Sequence, residues 1–286
     1  MNSPANERTA EHARAHYDKV ATRYDREMAE FGYCAPSRVA KWLASSGIGR
    51  GAQVLDLCSG TGLVGVALHE AGVAVSGTIV GVDISDESLD ECLGSGAYSR
   101  IKLHDVNQKL PFDTGMFDAI VCVGGTEFIE DFRVLFSEMT RVARDGALLC
   151  WTHRAPLWDA DDRGCASVVQ ELQESMHWKQ VRMVPPENHT PTRPDAVSSG
   201  GEHGEGTPWW LAPEYIFIFR RYRHKETEDE AKRKAQEEAE RKRQESVENI
   251  RQEREMKSGR SLDDVDEGYP EDDEEGSPST AEYLNW

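Results

Sequence analysis

A doubly wound α/β domain built on a mainly parallel sheet is what this 286-residue sequence predicts, and three observations carry the prediction. First, an apolar run with one carboxylate, Val54-Leu55-Asp56-Leu57, stops at Cys58-Ser59-Gly60-Thr61-Gly62, and an amphipathic segment starts at once at Leu63. That is strand, glycine turn and helix, the opening unit of a sheet whose carboxyl edge receives a ligand. Second, four more strand-like runs follow, separated by helical patterns, as parallel pairing with crossovers requires. Third, two final strand-like runs have no helical pattern between them and should pair antiparallel at one edge.

Taken in order, residues 1–9 read as disordered. Ala10–Phe31 is a helical pattern, with Tyr17, Val20, Ala21, Tyr24 and Met28 at three- and four-residue spacing. Pro36 opens a second helix ending at Gly47, a residue suited to a C-terminal cap; residues 10–47 form a helical cap on the domain. Strands are expected at Gln53–Leu57, Thr78–Asp83, Arg100–His104, Phe117–Val123 and Ala147–Thr152, the last entered through an Asp145-Gly146 turn. The helices between and after them are Leu63–Ala71, Asp86–Leu93, Asp131–Val142 and Val168–Met176. The final strands are Lys179–Val184 and Glu214–Tyr222, joined by a Pro-, Gly-, Ser- and His-rich loop or lid at 185–208. One domain spans 10–223. Beyond it, 224–260 is a Glu/Lys/Arg/Ala-rich helical extension without the large apolar heptads of a coiled coil. Residues 261–286 are an acidic tail expected to be disordered.

Charge and composition narrow the function. The chain carries 33 basic and 52 acidic side chains, net −19, with 38% hydrophobic residues. From Lys225 onward 11 basic and 21 acidic residues give −10, which leaves −9 for the domain. Neither part offers the basic face that nucleic acid needs to replace its counterions, so no nucleic-acid substrate is expected. Six cysteines are scattered without metal-like spacing, and no metal site is expected. There is no apolar leader pattern at the start and no run near the ~20 apolar residues of a membrane span. The expectation is a soluble, cytoplasmic protein with no membrane association.

Which ligand would the glycine loop hold? Gly60-Thr61-Gly62-Leu63-Val64-Gly65 fits G-x-G-x-x-G, and Asp83 follows at the end of the second strand, placed to accept from ribose hydroxyls. Alone this fits a nicotinamide dinucleotide. Asp56, however, stands four residues before Gly60, where a pyrophosphate would be repelled and a cationic amine or sulfonium favoured. Asp105, ending the third strand, is placed to accept from an adenine amine. Carboxylates at three adjacent strand ends favour zwitterionic, sulfonium-bearing S-adenosylmethionine over a dinucleotide.

The runs Val54–Gly62, Gly81-Val82-Asp83-Ile84-Ser85, His104-Asp105-Val106 and Leu110-Pro111-Phe112 with Phe117-Asp118 together resemble the class I S-adenosylmethionine-dependent methyltransferases. Tyr17-Asp18-x-x-Ala21-x-x-Tyr24-Asp25, Gly32–Pro36 and Gly96-Ala97-Tyr98 are similar to the Williams–Beuren-region methyltransferase-like branch. The resemblance covers about residues 17–223. It implies a Rossmann-like seven-stranded sheet of order 3-2-1-4-5-7-6 with the last strand antiparallel. It further implies that the loop with Cys58, Gly60 and Gly62 faces the methionine portion of the cofactor, with Asp56 steering its amine directly or through water, and that Gly124 also binds the cofactor. Asp83 would take the ribose, Ile84 would pack on the adenine, Asp105 and Val106 would read its edge, and Tyr17 and Tyr24 would cover the pocket. Cys58 stands where such loops usually have glycine, and a positive φ there would strain it.

Methyl transfer from a sulfonium needs in-line alignment and exclusion of water more than covalent help. Candidate general bases for an oxygen acceptor are Glu127, after the fourth strand, and His153, at the end of the fifth. No N-P-P-Y-like tetrad follows the fourth strand, which argues against base or glutamine amino-methylation. The sequence therefore predicts a small-molecule acceptor, with the Tyr33–Pro36 segment, Trp158 and the 185–210 stretch as pocket walls. A dinucleotide-dependent oxidoreductase and a non-catalytic cofactor-binding protein, with the charged extension engaging a protein partner, are the competing readings.

Overall fold

The computed structural model describes residues 8–187, 213–222, 236 and 239–246. The expectations for residues 1–7, for most of the 185–208 loop and the 224–260 extension, and for the 261–286 tail lie outside the described residues. The chain divides into two compact units, 1–224 and 225–286. In the second unit, residues 239–246 are helical and exposed.

The first unit holds seven strands: β1 (Gln53–Leu57), β2 (Thr78–Asp83), β3 (Arg100–Leu103), β4 (Phe117–Cys122), β5 (Ala143–Arg154), β6 (Trp178–Glu187) and β7 (Glu214–Arg221). They form one sheet of order β3-β2-β1-β4-β5-β7-β6. β1 to β5 pair in parallel, and β7 runs antiparallel to both β5 and β6. The helices are α1 (Ala10–Phe31), α2 (Ala35–Ser45), α3 (Leu63–Glu70), α4 (Asp86–Gly94), α5 (Phe132–Val142), α6 (Ala155–Asp159) and α7 (Cys165–Glu174). Among the described residues no helix is long and apolar enough to cross a membrane.

Side-chain alternation along the strands builds a core on each face of the sheet. Leu55, Leu57, Ile120, Leu149 and Trp151 meet Phe132, Phe136, Met139 and Val169 on one face. Val54, Val121, Leu148 and Ile218 meet Val39, Leu43 and Leu68 on the other. Because β1 and β4 are neighbours, with Leu57 beside Cys122, the chain reverses its winding between them. In such sheets the crevice outside the strand ends at this switch point receives the ligand.

Several boundaries differ from the sequence reading. Arg8 and Thr9 are not disordered: Arg8 is buried and its guanidinium pairs bidentately with Asp162, while Thr9 accepts from the His12 N–H as the N-cap of α1. β5 begins at Ala143 rather than Ala147, because the Asp145-Gly146 turn is absorbed as an irregularity between the Phe117–Ala143 and Ala119–Leu148 pairs. β6 runs through Pro185 and Pro186 to Glu187, into the predicted loop. It is an edge strand, where a residue without an N–H is tolerated, and its pairing shifts between Val184 and Glu187. α6 was not anticipated, and α7 starts at Cys165, three residues ahead of the apolar periodicity.

Candidate functional site

A cavity lies over the ends of β1, β2 and β4, lined on its outer side by residues of α1. It has two differently built ends.

The first end is made by strand termini. Cys58, Gly60 and Gly62 all have positive φ, of 57°, 53° and 97°. A side chain on Gly60 would meet nothing within 4 Å, so its backbone faces open space. The loop is tied down from below: Asp83 accepts from the Gly60 N–H at 2.8 Å with one oxygen and from the Ser85 N–H at 2.9 Å with the other. Burial raises the Asp83 carboxyl, and those N–H bonds oppose the shift. Thr61 donates its hydroxyl to Asp25, which fixes the loop to α1. Further along the edge, Ile84, Asp105 and Val106 line the cavity, with Asp105 accepting from the Asn107 N–H at 2.9 Å.

Cys58 in the left-handed region costs about 1 kcal/mol, and the packing shows what holds it. A Cβ on Gly125 would fall 2.4 Å from the Cys58 Cβ, so the cysteine side chain occupies the space that Gly125 leaves. Its thiol is pushed up, first by a contact with Cys122 and then by burial.

The second end is aromatic. Tyr17, Tyr24, Tyr33 and Phe128 line it. Tyr17 stands edge-on to both Tyr24 and Phe128, each at 5.9 Å between ring centres. The Tyr33 hydroxyl lies 2.8 Å from where a Cβ on Gly124 would stand, so it rests on the end of β4. Burial raises all three tyrosine hydroxyls, followed by neighbouring negative groups, and they remain protonated donors.

Nine of the sequence-predicted residues meet at this cavity: Tyr17, Tyr24, Cys58, Gly60, Asp83, Ile84, Asp105, Val106 and Gly124. Four do not line it. Asp56 is fully buried below the loop, where the Tyr98 hydroxyl donates to it at 2.5 Å while accepting from the Gly65 N–H at 2.9 Å. Burial lifts its pKa to about 7, against the Tyr98 bond that lowers it. In this position it anchors Tyr98 from beneath the loop. Gly62 likewise faces Tyr98 and Cys92, with a Cβ meeting them at 3.0 and 3.2 Å, so its missing side chain serves packing.

The two candidate bases are displaced as well. The Thr126 hydroxyl donates to the Thr152 carbonyl at 2.6 Å and therefore accepts from His153 Nδ1 at 2.8 Å. His153 is held as one neutral tautomer, its Nε2 buried without a partner among the described residues, and burial lowers its pKa to about 4. Glu127 is 3% exposed and shares Arg154 with Glu214 from the start of β7, each at 3.5 Å. Burial raises Glu214 to about 7, and Arg154 pulls the other way. Of the predicted walls, Tyr33 and Pro36 line the cavity. Trp158 does not, because its ring packs on Phe217 at 4.3 Å. Glu214 was missed as a site residue: a glutamate opening an apolar strand has no local signal, and only the antiparallel pairing sets it opposite Arg154.

Residues 54–146 match the family model described as "Methyltransferase domain". This stretch of the chain is a methyltransferase domain. That domain is 33% identical over 143 residues to methyltransferase-like protein 27 of Homo sapiens, covering 48% of this chain and 56% of that protein. It is 28% identical over 141 residues to a demethylmenaquinone methyltransferase of Bacillus pumilus (strain SAFR-032), covering 46% and 58%. The chain thus spans a little over half the length of these curated relatives. Among solved structures, the methyltransferase domain shares its fold with the [4+2]-cyclase SpnF at a TM-score of 0.55 and 18% identity, covering 75% of this chain and 96% of that one. A chain from the complex of the Haloferax volcanii Trm112 methyltransferase activator with a methyltransferase matches at 0.52 and 15% identity, covering 72% and 98%.

Proposed function

We propose that this protein is an S-adenosylmethionine-dependent methyltransferase acting on a small-molecule acceptor. The observation that carries the reading is one continuous cavity whose strand-end half suits the cofactor and whose aromatic half is walled for a second, smaller molecule. The residues fit the cofactor: open space stands over Gly60, and Asp83, a carboxylate with about four lone-pair sites, accepts three backbone bonds, from Gly60, Ser85 and Ile84, which leaves acceptor capacity for a ribose hydroxyl. Ile84 and Val106 would flank the adenine, Asp105 would meet its amine, and Cys58, Gly60 and Gly124 would surround the methionine portion. Bound there, the cofactor supplies an already activated methyl group on a sulfonium. The chain's own work is then to orient the acceptor and exclude water, which Tyr17 and Tyr24 of α1 do from above.

The relatives named demethylmenaquinone methyltransferases support an acceptor of small-molecule size. Transfer to oxygen was expected on the strength of Glu127 or His153 as base. With neither at the cavity lining, that choice of atom loses its support. Calorimetric titration tests the cofactor. S-adenosylhomocysteine should bind with a one-to-one stoichiometry and NAD should give no heat; tight NAD binding alone would overturn the proposal.

A further inference from the structure

We propose that the acceptor presents a basic amine nitrogen to the aromatic end of the cavity, where Tyr17, Tyr24 and Tyr33 grip it in front of the buried Glu127–Arg154–Glu214 cluster. The inference rests on the methyltransferase reading and adds the acceptor's chemical class.

Two features of the site argue for it. The wall itself presents aromatic faces and phenol hydroxyls, and none of the three tyrosine hydroxyls bonds to a described residue. Aromatic faces attract a cation or a nitrogen acquiring positive charge, and the hydroxyl oxygens accept its N–H bonds. Behind the wall, two carboxylates share a single guanidinium. Glu127 Oε2 is buried without a hydrogen bond among the described residues. The carboxylates act on the tyrosines, since Glu127 raises Tyr17 and Tyr24 and Glu214 raises Tyr33, and Arg154 opposes them less strongly in each case than the leading carboxylate.

The charge bookkeeping of the reaction then selects the acceptor. An amine sheds its proton to solvent and enters neutral. Its lone pair forms the new C–N bond as the methyl's C–S bond breaks, giving a neutral thioether and an N-methylammonium ion. Positive charge thus passes from the donor sulfur to the acceptor nitrogen, and a negative cluster beside the nitrogen stabilises it throughout. A phenolate or carboxylate acceptor would instead bring a negative charge against that cluster and be repelled.

The test is calorimetric titration of the full chain, saturated with S-adenosylhomocysteine, against phenethylamine, 2-phenylethanol and 3-phenylpropionate. These three share a ring and differ in charge. Phenethylamine should bind about tenfold tighter than either of the others. Glu127→Gln, which keeps shape and hydrogen-bonding capacity, should reduce that preference to about threefold or less, with binding of S-adenosylhomocysteine unchanged. Tyramine, carrying an amine and a phenol, adds a product readout by mass spectrometry. Methylation on nitrogen supports the proposal and methylation on oxygen overturns it. Equal binding of the three probes, no binding by any, or preference for the anion also overturns it. Failure of S-adenosylhomocysteine itself to bind would instead count against the methyltransferase reading.

Discussion

The two ends of the cavity use their polar groups in opposite ways. At the strand-end half, the carboxylates are already engaged: Asp83 holds the Gly60 and Ser85 amides, Asp105 holds Asn107, and Asp56 holds Tyr98. At the aromatic half, none of the three tyrosine hydroxyls bonds to a described residue, and behind it Glu127 Oε2 is buried without a partner among the described residues, as Asp56 Oδ1 is below the loop. A ligand that every turnover must accept in the same pose is served by a preorganised frame, and preorganisation lowers the cost of ordering on binding. Groups left unspent are expensive to bury, and they persist here at the end proposed for the acceptor.

Perturbing the two halves separately should expose the difference. The largest effect is expected from Asp83→Ala, which removes the proposed ribose acceptor and frees the Gly60 and Ser85 amides. S-adenosylhomocysteine should bind about 100-fold more weakly by calorimetry, roughly 3 kcal/mol. A change below about threefold would mean that the strand-end half does not hold the ribose through Asp83. Next, Gly125→Ala forces a methyl group against Cys58, and overpacking of this kind costs about 2 kcal/mol in chemical denaturation. Adding Cys58→Gly should restore most of that loss. Without rescue, the account of Cys58 as the occupant of the Gly125 space fails.

His153 gives an effect of similar size through pH. Its folded pKa, near 4, lies below the ordinary value of 6.5, so the unfolded chain binds its proton first as pH falls. The stability that neutral His153 maintains is present above about 6.5 and lost as pH drops toward 4. Relative to His153→Gln, the natural chain should lose about 2 kcal/mol between roughly pH 7 and pH 5. Parallel stability profiles for the two proteins would show that His153 titrates freely. The smallest expected change comes from Thr61→Val, which releases the glycine loop from Asp25 of α1 at a cost of about 1 kcal/mol. Hydrogen exchange at the Gly60 and Gly62 amides should rise with it, while exchange in β5 stays constant.

The frame was legible because its signals are local. A strand period of two, glycines at the turn and an acid at the end of the next strand are all read within about thirty residues, and backbone sterics leave few ways to fold them. Even there, local reading assigned Asp56 and Gly62 to the ligand. The missing piece was Tyr98, which arrives from between α4 and β3 and fills the space beside both. Glu127 and His153 sit at the right strand ends for bases. Only the packed structure shows one turned into an ion cluster with β7 and the other beneath Thr126.

The sequence by itself determined the α/β class, the strands with their parallel and antiparallel pairing, and the half of the cavity built from strand ends, because each follows from short-range pattern. Tertiary structure alone decided the aromatic half. Tyr17 and Tyr24 come from α1, Tyr33 from the α1–α2 turn, Phe128 from a single turn after β4, and Arg154 and Glu214 from facing strands. No spacing in the chain relates them. They meet because burying the apolar faces of the helices against the sheet fixes where the remaining side chains must converge.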